Sequence, residues 1–84
     1  GIINKIVAPE LLMEETLKFA GRLAKQPPLS MRLIKDSVNK AVDSSLNEGM
    51  QYERKNFYLL FATQDQKEGM NAFIEKRKPD YKGK

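Results

Sequence analysis

The stretch from Phe61 to Pro79 most restricts the fold, because it predicts a short helix with a defined start, a defined end and a narrow apolar face. Thr63 can cap the N-terminus of this helix, and Gln66, three residues later, completes the pattern of a capping box. The apolar face is only three side chains wide, with the helical spacing of Met70, Phe73 and Ile74. Because such a helix is unstable alone in water, it has to pack on another surface.

The last turn of this predicted helix carries three consecutive cations, Lys76–Lys78, where the helix dipole favours positive charge. Asp65 and Glu68 near its start would repel a phosphate at that end. If the chain binds a phosphate, the three cations are therefore the better candidates, although cations at a helix end more often only complement the dipole. We expect Tyr81 and the residues after it to form a frayed tail.

Three further helices are predicted upstream, which gives about four helices and an all-α fold. Pro9 is typical of a first helical turn, and the pair Pro27-Pro28 ends one helix and starts the next. The sequence Ser45–Glu48 has the form of a capping box and begins the third helix. The predicted ranges are about Glu10–Lys25, Leu29–Val42 and Ser45–Phe61.

Gly1–Val7 is rich in β-branched residues and predicts a short N-terminal strand. A strand this short needs a partner, and no second strand is predicted. We therefore expect residues 1–8 to be a strand and linker that belong to a core outside this chain. Residues 9–84 are expected to form the helical segment.

Composition excludes several kinds of site. The chain has no cysteine, and therefore no disulfide and no thiolate metal site, and it lacks histidine, the commonest metal ligand and general base. A net charge of +4 is compatible with nucleic acid, but no aromatic residues alternate with basic ones to form a stacking platform, so we expect no nucleic-acid partner. No apolar run approaches the roughly 20 residues that cross a bilayer, so no membrane partner is expected.

Two features of the third and fourth helices invite a functional interpretation. Phe57, Phe61 and Phe73 lie on predicted inward faces and could form plain core or the wall of an apolar ligand tunnel. Glu53 interrupts the apolar side of the third helix, and we expect a partly buried carboxylate paired with a cation such as Arg54. No second acid or imidazole stands at a matching position, so we predict no catalytic residue and no metal ligand in this chain.

Two runs near the C-terminus, FATQDQKEGM at 61–70 and AFIEKRKP at 72–79, form the most specific motif of the sequence. Together they resemble the C-terminal signature of the enoyl-CoA hydratase (crotonase) family. The resemblance extends over the whole chain through GIINKIV at 1–7, KQPP at 25–28, Lys35, Glu48-Gly49 and the Glu53/Phe57 pair.

The resemblance implies that this chain is the C-terminal helical part of a crotonase-like α/β fold. In the family, a larger N-terminal core supplies two catalytic glutamates and an oxyanion hole, which add water across the 2,3 double bond of trans-2-enoyl-CoA in fatty-acid β-oxidation. These 84 residues alone would be inactive, and would help to close the acyl-CoA site and to build a trimer or a dimer of trimers. No cofactor is implied, since coenzyme A is part of the substrate, and an intracellular location in the bacterial cytoplasm or the mitochondrial matrix is expected.

Carried over residue by residue, the resemblance implies three substrate-binding residues. Phe57 and Phe73 match positions near the acyl end of the pocket, and Lys76 matches a position near the CoA moiety, which it would reach in a neighbouring subunit. Two alternatives stay open. One is another crotonase-family activity such as an isomerase, and the other is a stand-alone helical module that binds acyl-CoA or nucleic acid.

Overall fold

The computed structural model describes all 84 residues and contains four α-helices and no β-strand. A 3₁₀ turn at Pro9–Leu11 leads into the first helix, and the elements in chain order are α1 (Leu12–Leu23), α2 (Pro28–Val42), α3 (Leu46–Leu60) and α4 (Gln64–Ile74). The predicted all-α architecture with four helices is confirmed. None of the four has the length and apolar character that a membrane span requires.

The predicted N-terminal strand is absent from the structure and has to be corrected. Gly1–Val7 has no regular secondary structure, and its three isoleucines are exposed. A strand is defined by hydrogen bonds to a neighbouring strand, and these 84 residues provide none. The β-branched residues indicate a preference for extended backbone, but composition alone does not supply the neighbouring strand that would make the segment a β-strand. The division of the chain after residue 8 stays a prediction.

The starts of α3 and α4 follow from their capping residues. At α3 the capping box is complete, because the Ser45 hydroxyl accepts from the Glu48 N–H at 3.3 Å and the Glu48 carboxylate accepts from the Ser45 N–H at 3.3 Å. At α4 the Thr63 hydroxyl accepts from the Gln66 N–H at 3.1 Å. The return bond is missing there, since the Thr63 N–H instead donates to the Leu60 carbonyl at 3.0 Å.

The end of α4 differs from the prediction. The helix stops at Ile74, and Lys76 takes a left-handed backbone conformation with φ of +54°. The Lys76 N–H donates to the Phe73 carbonyl at 3.3 Å and the Arg77 N–H to the Ala72 carbonyl at 3.0 Å, which is the pattern of a Schellman motif. The three cations therefore lie beyond the helix, and the prediction that they occupy its last turn is wrong.

Residues 77–84, called the strap below, fold back along α4. Both carboxylate oxygens of Asp65 accept from the strap backbone, from the Lys82 N–H at 2.7 Å and the Gly83 N–H at 2.8 Å. The Asp65 N–H in turn donates to the Lys84 carbonyl at 3.0 Å. The predicted frayed tail is wrong, because the polar backbone of these residues finds partners on α4.

Among the helices, only α2 and α3 make extended contact. A hydrogen bond joins them, from the Asn56 side-chain amide to the Ser37 hydroxyl at 3.0 Å, and Asn56 is 7% exposed. Ala72 is the only buried apolar residue of the chain. The radius of gyration of 16.0 Å exceeds the roughly 12 Å of a compact domain of this length. The helices therefore share little core of their own, and most apolar side chains are open to solvent.

Candidate functional site

A groove of about 510 Å³ lies between α2 and α3. The two helices contribute apolar side chains to opposite walls, and these are Leu33, Ile34, Val38, Ala41, Met50, Phe57 and Leu60. Polar groups lie among them, including the hydrogen-bonded Ser37 and Asn56. The arrangement suits an apolar ligand or an apolar segment of protein, with few directional contacts.

Phe57 is the predicted substrate-binding residue that lines this groove. Its ring packs edge-on against Phe61, with ring centroids 5.2 Å apart and an interplanar angle of 79°. The side chain is nevertheless 57% exposed, because α3 has an apolar neighbour on one side only. The ring is thus positioned by its own helix and available to a further partner.

Phe73 and Lys76 lie outside the groove, at the far end of α4. Phe73 is 83% exposed, and its neighbours on the apolar face of α4, Met70 and Ile74, are also exposed. The structure therefore does not bring the three predicted substrate-binding residues into one pocket. Their role in binding a substrate stays a prediction.

Glu53 does not form the buried ion pair that was expected. Its side chain is exposed at the edge of the groove and makes no salt bridge, with Arg54 or with any other residue. The prediction was wrong because the apolar side that Glu53 interrupts remains in contact with water in this chain. No group of three or more acidic, histidine or cysteine side chains is placed to hold a metal ion.

Glu68 and Arg77 form the strongest electrostatic contact of the chain. The guanidinium contacts both oxygens of Glu68, with Nη2 2.9 Å from Oε2, and it also contacts the carboxylate of Glu75. The hydrogen bond from Arg77, together with one from the Asp80 N–H at 2.9 Å, lowers the pKa of Glu68 from 4.5 to about 2. The hydrogen bonds of the guanidinium to Glu68 and, second, to Glu75 raise the pKa of Arg77.

This pairing decides which of the predicted anion-binding cations are free. Arg77 is held by two carboxylates and is not available to a phosphate. Lys76 and Lys78 are exposed and form no salt bridge. The candidate anion site is therefore reduced to these two lysines on the turn that follows α4.

Sequence reasoning missed the side of α4 that packs within the chain. Its members are buried or half-buried and recur at helical spacing, and they are Asp65, Glu68, Gly69 and Ala72. These residues are three and four positions apart in the sequence, as expected for one side of a helix. Two of them are acidic and two are small, so no run of large apolar residues marked this side as buried. The signal that could have found it is the pair of acids one turn apart followed by a basic, polar tail.

Comparison with known proteins gives the family. The model of the enoyl-CoA hydratase/isomerase family matches residues 1–84, the entire chain. The chain belongs to this family. Among its relatives in the family, the crotonyl-CoA hydratase of Syntrophomonas wolfei is 46% identical over 81 residues, which cover 96% of this chain and 31% of the relative. The mitochondrial enoyl-CoA hydratase of Pongo abelii is 44% identical over 82 residues, which cover 98% of this chain and 28% of the relative.

Solved structures of the family agree with the helical arrangement. A crystal structure of an enoyl-CoA hydratase subunit I from Geobacillus kaustophilus HTA426 superimposes with a TM-score of 0.91 at 71% identity, over 100% of this chain and 33% of that one. The chain thus spans about a third of the length of the family members that it matches. Its four helices correspond to the C-terminal helical part of the crotonase fold, as predicted from the sequence.

Proposed function

We propose that this chain is the C-terminal part of an enoyl-CoA hydratase, a lyase that adds water across the 2,3 double bond of trans-2-enoyl-CoA in fatty-acid β-oxidation. The observation that carries the proposal is the agreement with hydratases over the whole chain, at 46% identity to a crotonyl-CoA hydratase and 71% to the Geobacillus hydratase. The reaction requires no cofactor, because coenzyme A is part of the substrate.

The residues of the chain support the view that the hydration chemistry lies elsewhere. A general acid or base works best when its pKa is near the working pH. The two carboxylates with a shifted pKa are shifted away from that range, since Lys5 and Lys18 lower the pKa of Glu15 and Arg77 lowers that of Glu68. The chain also has no histidine. These 84 residues would therefore be inactive alone.

The uncovered apolar faces support a role in assembly. The accessible surface of 7477 Å² is roughly 2,400 Å² larger than that of a compact protein of this mass. An excess of this size is comparable with the area buried in stable protein interfaces. We propose that these faces pack on the catalytic core and on further subunits, in a trimer or a dimer of trimers, and that the helices close the acyl-CoA site.

Within this assembly, three residues would contact the substrate. Phe57 in the α2–α3 groove and the exposed Phe73 would border the acyl chain, where aromatic rings exclude water. Lys76, a free cation on the turn after α4, would meet a phosphate of the CoA moiety in a neighbouring subunit.

A chimaera tests the proposal. In the Geobacillus hydratase, the C-terminal third is replaced by this chain, and hydration of a short trans-2-enoyl-CoA is followed by loss of the absorbance of the conjugated thioester. We expect the chimaera to be active, and both this chain alone and the Geobacillus protein without its C-terminal third to be inactive. A folded but inactive chimaera, or turnover by this chain alone, would contradict the proposal.

The same chimaera examines Lys76. Replacing Lys76 by Ala should raise KM about tenfold, as loss of a charge-assisted hydrogen bond predicts, with little change in kcat. Lys35→Ala is a matched control, since Lys35 is another exposed lysine without a salt bridge. An unchanged KM for Lys76→Ala would remove this residue from the site.

An isomerase is the second candidate, because the family description itself includes isomerases. The two activities differ in their product, a hydrated thioester in one case and a thioester with a shifted double bond in the other. Product analysis has to use the protein encoded by the gene that contains this sequence. The chimaera cannot decide between the two activities, because its catalytic core comes from the Geobacillus hydratase.

A further inference from the structure

In this chain, α4 is held by hydrogen bonds to the strap rather than by packing against another helix. Extended contact between helices is limited to α2 and α3. The side of α4 that faces the strap contains four of the five residues of this helix that are buried or half-buried, Asp65, Glu68, Gly69 and Ala72, and the fifth is Gln66. The apolar side of Met70, Phe73 and Ile74 is exposed.

The strap contacts two elements of the fold. Along α4 it is bound by Asp65, which is 4% exposed and accepts two backbone N–H groups, and by Glu68. At its far end, Gly83 has φ of +76° and lies against the ring of Pro28, close enough that a Cβ on this glycine would be 3.5 Å from the proline Cγ. Pro28 is the first residue of α2.

We infer that the strap fixes the orientation of α4 relative to the α2–α3 pair, and that Asp65 is its anchor. Without the strap, α4 is joined to the rest of the chain only through the turn at residues 61–63. In that turn Phe61 and Ala62 are exposed, and the buried Thr63 bonds only to its near neighbours in the chain, donating to the Leu60 carbonyl at 2.6 Å and accepting from the Gln66 N–H at 3.1 Å. The inference concerns the geometry of this chain and does not depend on the proposed function.

Two variants remove the anchor from opposite sides. Asp65→Asn keeps the shape of the side chain but replaces one acceptor oxygen by an NH₂ group, which cannot accept from the strap. A chain that ends at Tyr81 keeps Asp65 and removes both of its donors, Lys82 and Gly83. Asp80→Asn is the matched control, because the Asp80 side chain pairs only with the exposed Lys82 ammonium, while its N–H still donates to Glu68.

The orientation is measured by pulsed electron paramagnetic resonance between two spin labels. The chain has no cysteine, so Lys35→Cys on α2 and Lys67→Cys on α4 place labels at two exposed positions without competing sites. Dilution with unlabelled chain removes distances between molecules. We expect a narrow distance distribution in the labelled parent and in Asp80→Asn, and a broad one in Asp65→Asn and in the chain that ends at Tyr81.

Hydrogen exchange separates release of the strap from unfolding of α4. In Asp65→Asn the N–H groups of Lys82 and Gly83 should exchange roughly tenfold faster or more, as expected for loss of a hydrogen bond to a charged acceptor. The amides in the second half of α4 should keep their protection. Loss of that protection as well would mean that the helix unfolds rather than turns, and would contradict the inference.

Three results of the distance measurement would overturn the inference. A broad distribution in the parent would mean that the strap does not fix α4 at all. Narrow distributions in both anchor variants would assign the orientation to the turn at residues 61–63. Broadening in Asp65→Asn but not in the chain that ends at Tyr81 would mean that Asp65 acts on the N-terminus of α4 through the helix dipole and not through the strap.

Discussion

Three glycines lie inside helices and offer a graded test of how tightly the strap lies on α4. A Cβ added at Gly21 in α1 would meet no atom within 4 Å, and one added at Gly49 in α3 would make ordinary contacts, the nearest at 3.5 Å from the Ser44 hydroxyl. A Cβ added at Gly69 in α4 would lie 3.1 Å from the Tyr81 hydroxyl oxygen. The same Gly→Ala substitution therefore meets open space at Gly21, a normal contact at Gly49 and a contact tighter than normal at Gly69.

The expected stabilities follow from two opposing effects. Alanine is favoured over glycine inside a helix by about 1 kcal/mol, which Gly21→Ala and Gly49→Ala should gain. At Gly69 the backbone on both sides of Tyr81 is held, because the N–H groups of Asp80 and Lys82 are bound to carboxylates on α4, and we therefore expect the tyrosine ring to yield little. Overpacking of this kind costs about 1–3 kcal/mol, so Gly69→Ala should be net destabilising by about 1 kcal/mol.

Thermal unfolding followed by far-UV circular dichroism, at one protein concentration for all variants, measures the difference. About 1 kcal/mol corresponds to a shift of about 4–8 °C in Tm for a chain of this size. Gly69→Ala should therefore melt below the parent, and Gly21→Ala and Gly49→Ala above it.

A second substitution identifies the atom responsible for the tight contact at Gly69. Tyr81→Phe removes the oxygen at 3.1 Å and leaves ring atoms at 3.5 and 3.7 Å, which are normal contacts. Because the hydroxyl makes none of the backbone hydrogen bonds of the strap, this change alone should be nearly neutral. The double variant Gly69→Ala/Tyr81→Phe should recover the gain seen at Gly21. If Gly69→Ala alone is as stabilising as Gly21→Ala, Tyr81 does not rest on α4, and the described position of the strap is wrong.

Three other measurements examine single contacts. The pKa of Glu68 in the folded chain, about 2, lies below its ordinary value of 4.5, so the ion pair with Arg77 stabilises the fold fully above about pH 4.5. This stabilisation is lost as the pH falls toward 2, and an acid titration followed by circular dichroism should show the loss. In Glu68→Gln the loss of stability over this pH range should be smaller. Lys76→Gly should raise the free energy of unfolding by about 1 kcal/mol in urea titrations, because glycine adopts the left-handed conformation without the penalty of a side chain. Ser45→Ala should lower it by about 1 kcal/mol through loss of the capping box, and an unchanged midpoint would mean that the first turn of α3 is frayed.

The sequence predicted best what is decided by residues close together in the chain. The starts of α3 and α4 depend on Ser45 and Thr63 and on the N–H groups three residues later, and both were predicted. The end of α4 was missed because the Schellman motif usually carries glycine or asparagine at the left-handed position, and here that position is Lys76.

Contacts between distant residues were not predictable in the same way. The hydrogen bond between Ser37 and Asn56 joins two polar residues that, by composition, belong on a solvated surface, and only the packing of α2 on α3 buries it. Of the three residues assigned to the substrate site, one lines the groove and two do not, because the chain contains no element that would bring α4 to the groove. Whether all three residues contact one substrate therefore depends on protein surfaces outside this 84-residue chain.

The two sides of α4 have different roles: one side positions the helix, and the other can bind a further surface. Hydrogen bonds to Asp65 and Glu68 are directional and fix the helix, while the exposed face of Met70, Phe73 and Ile74 can gain energy only from apolar contact, which has no preferred direction. A face that is already held in place loses less conformational freedom when its partner covers it. The strap should therefore matter more for the affinity of α4 for a covering surface than for the stability of the helix itself.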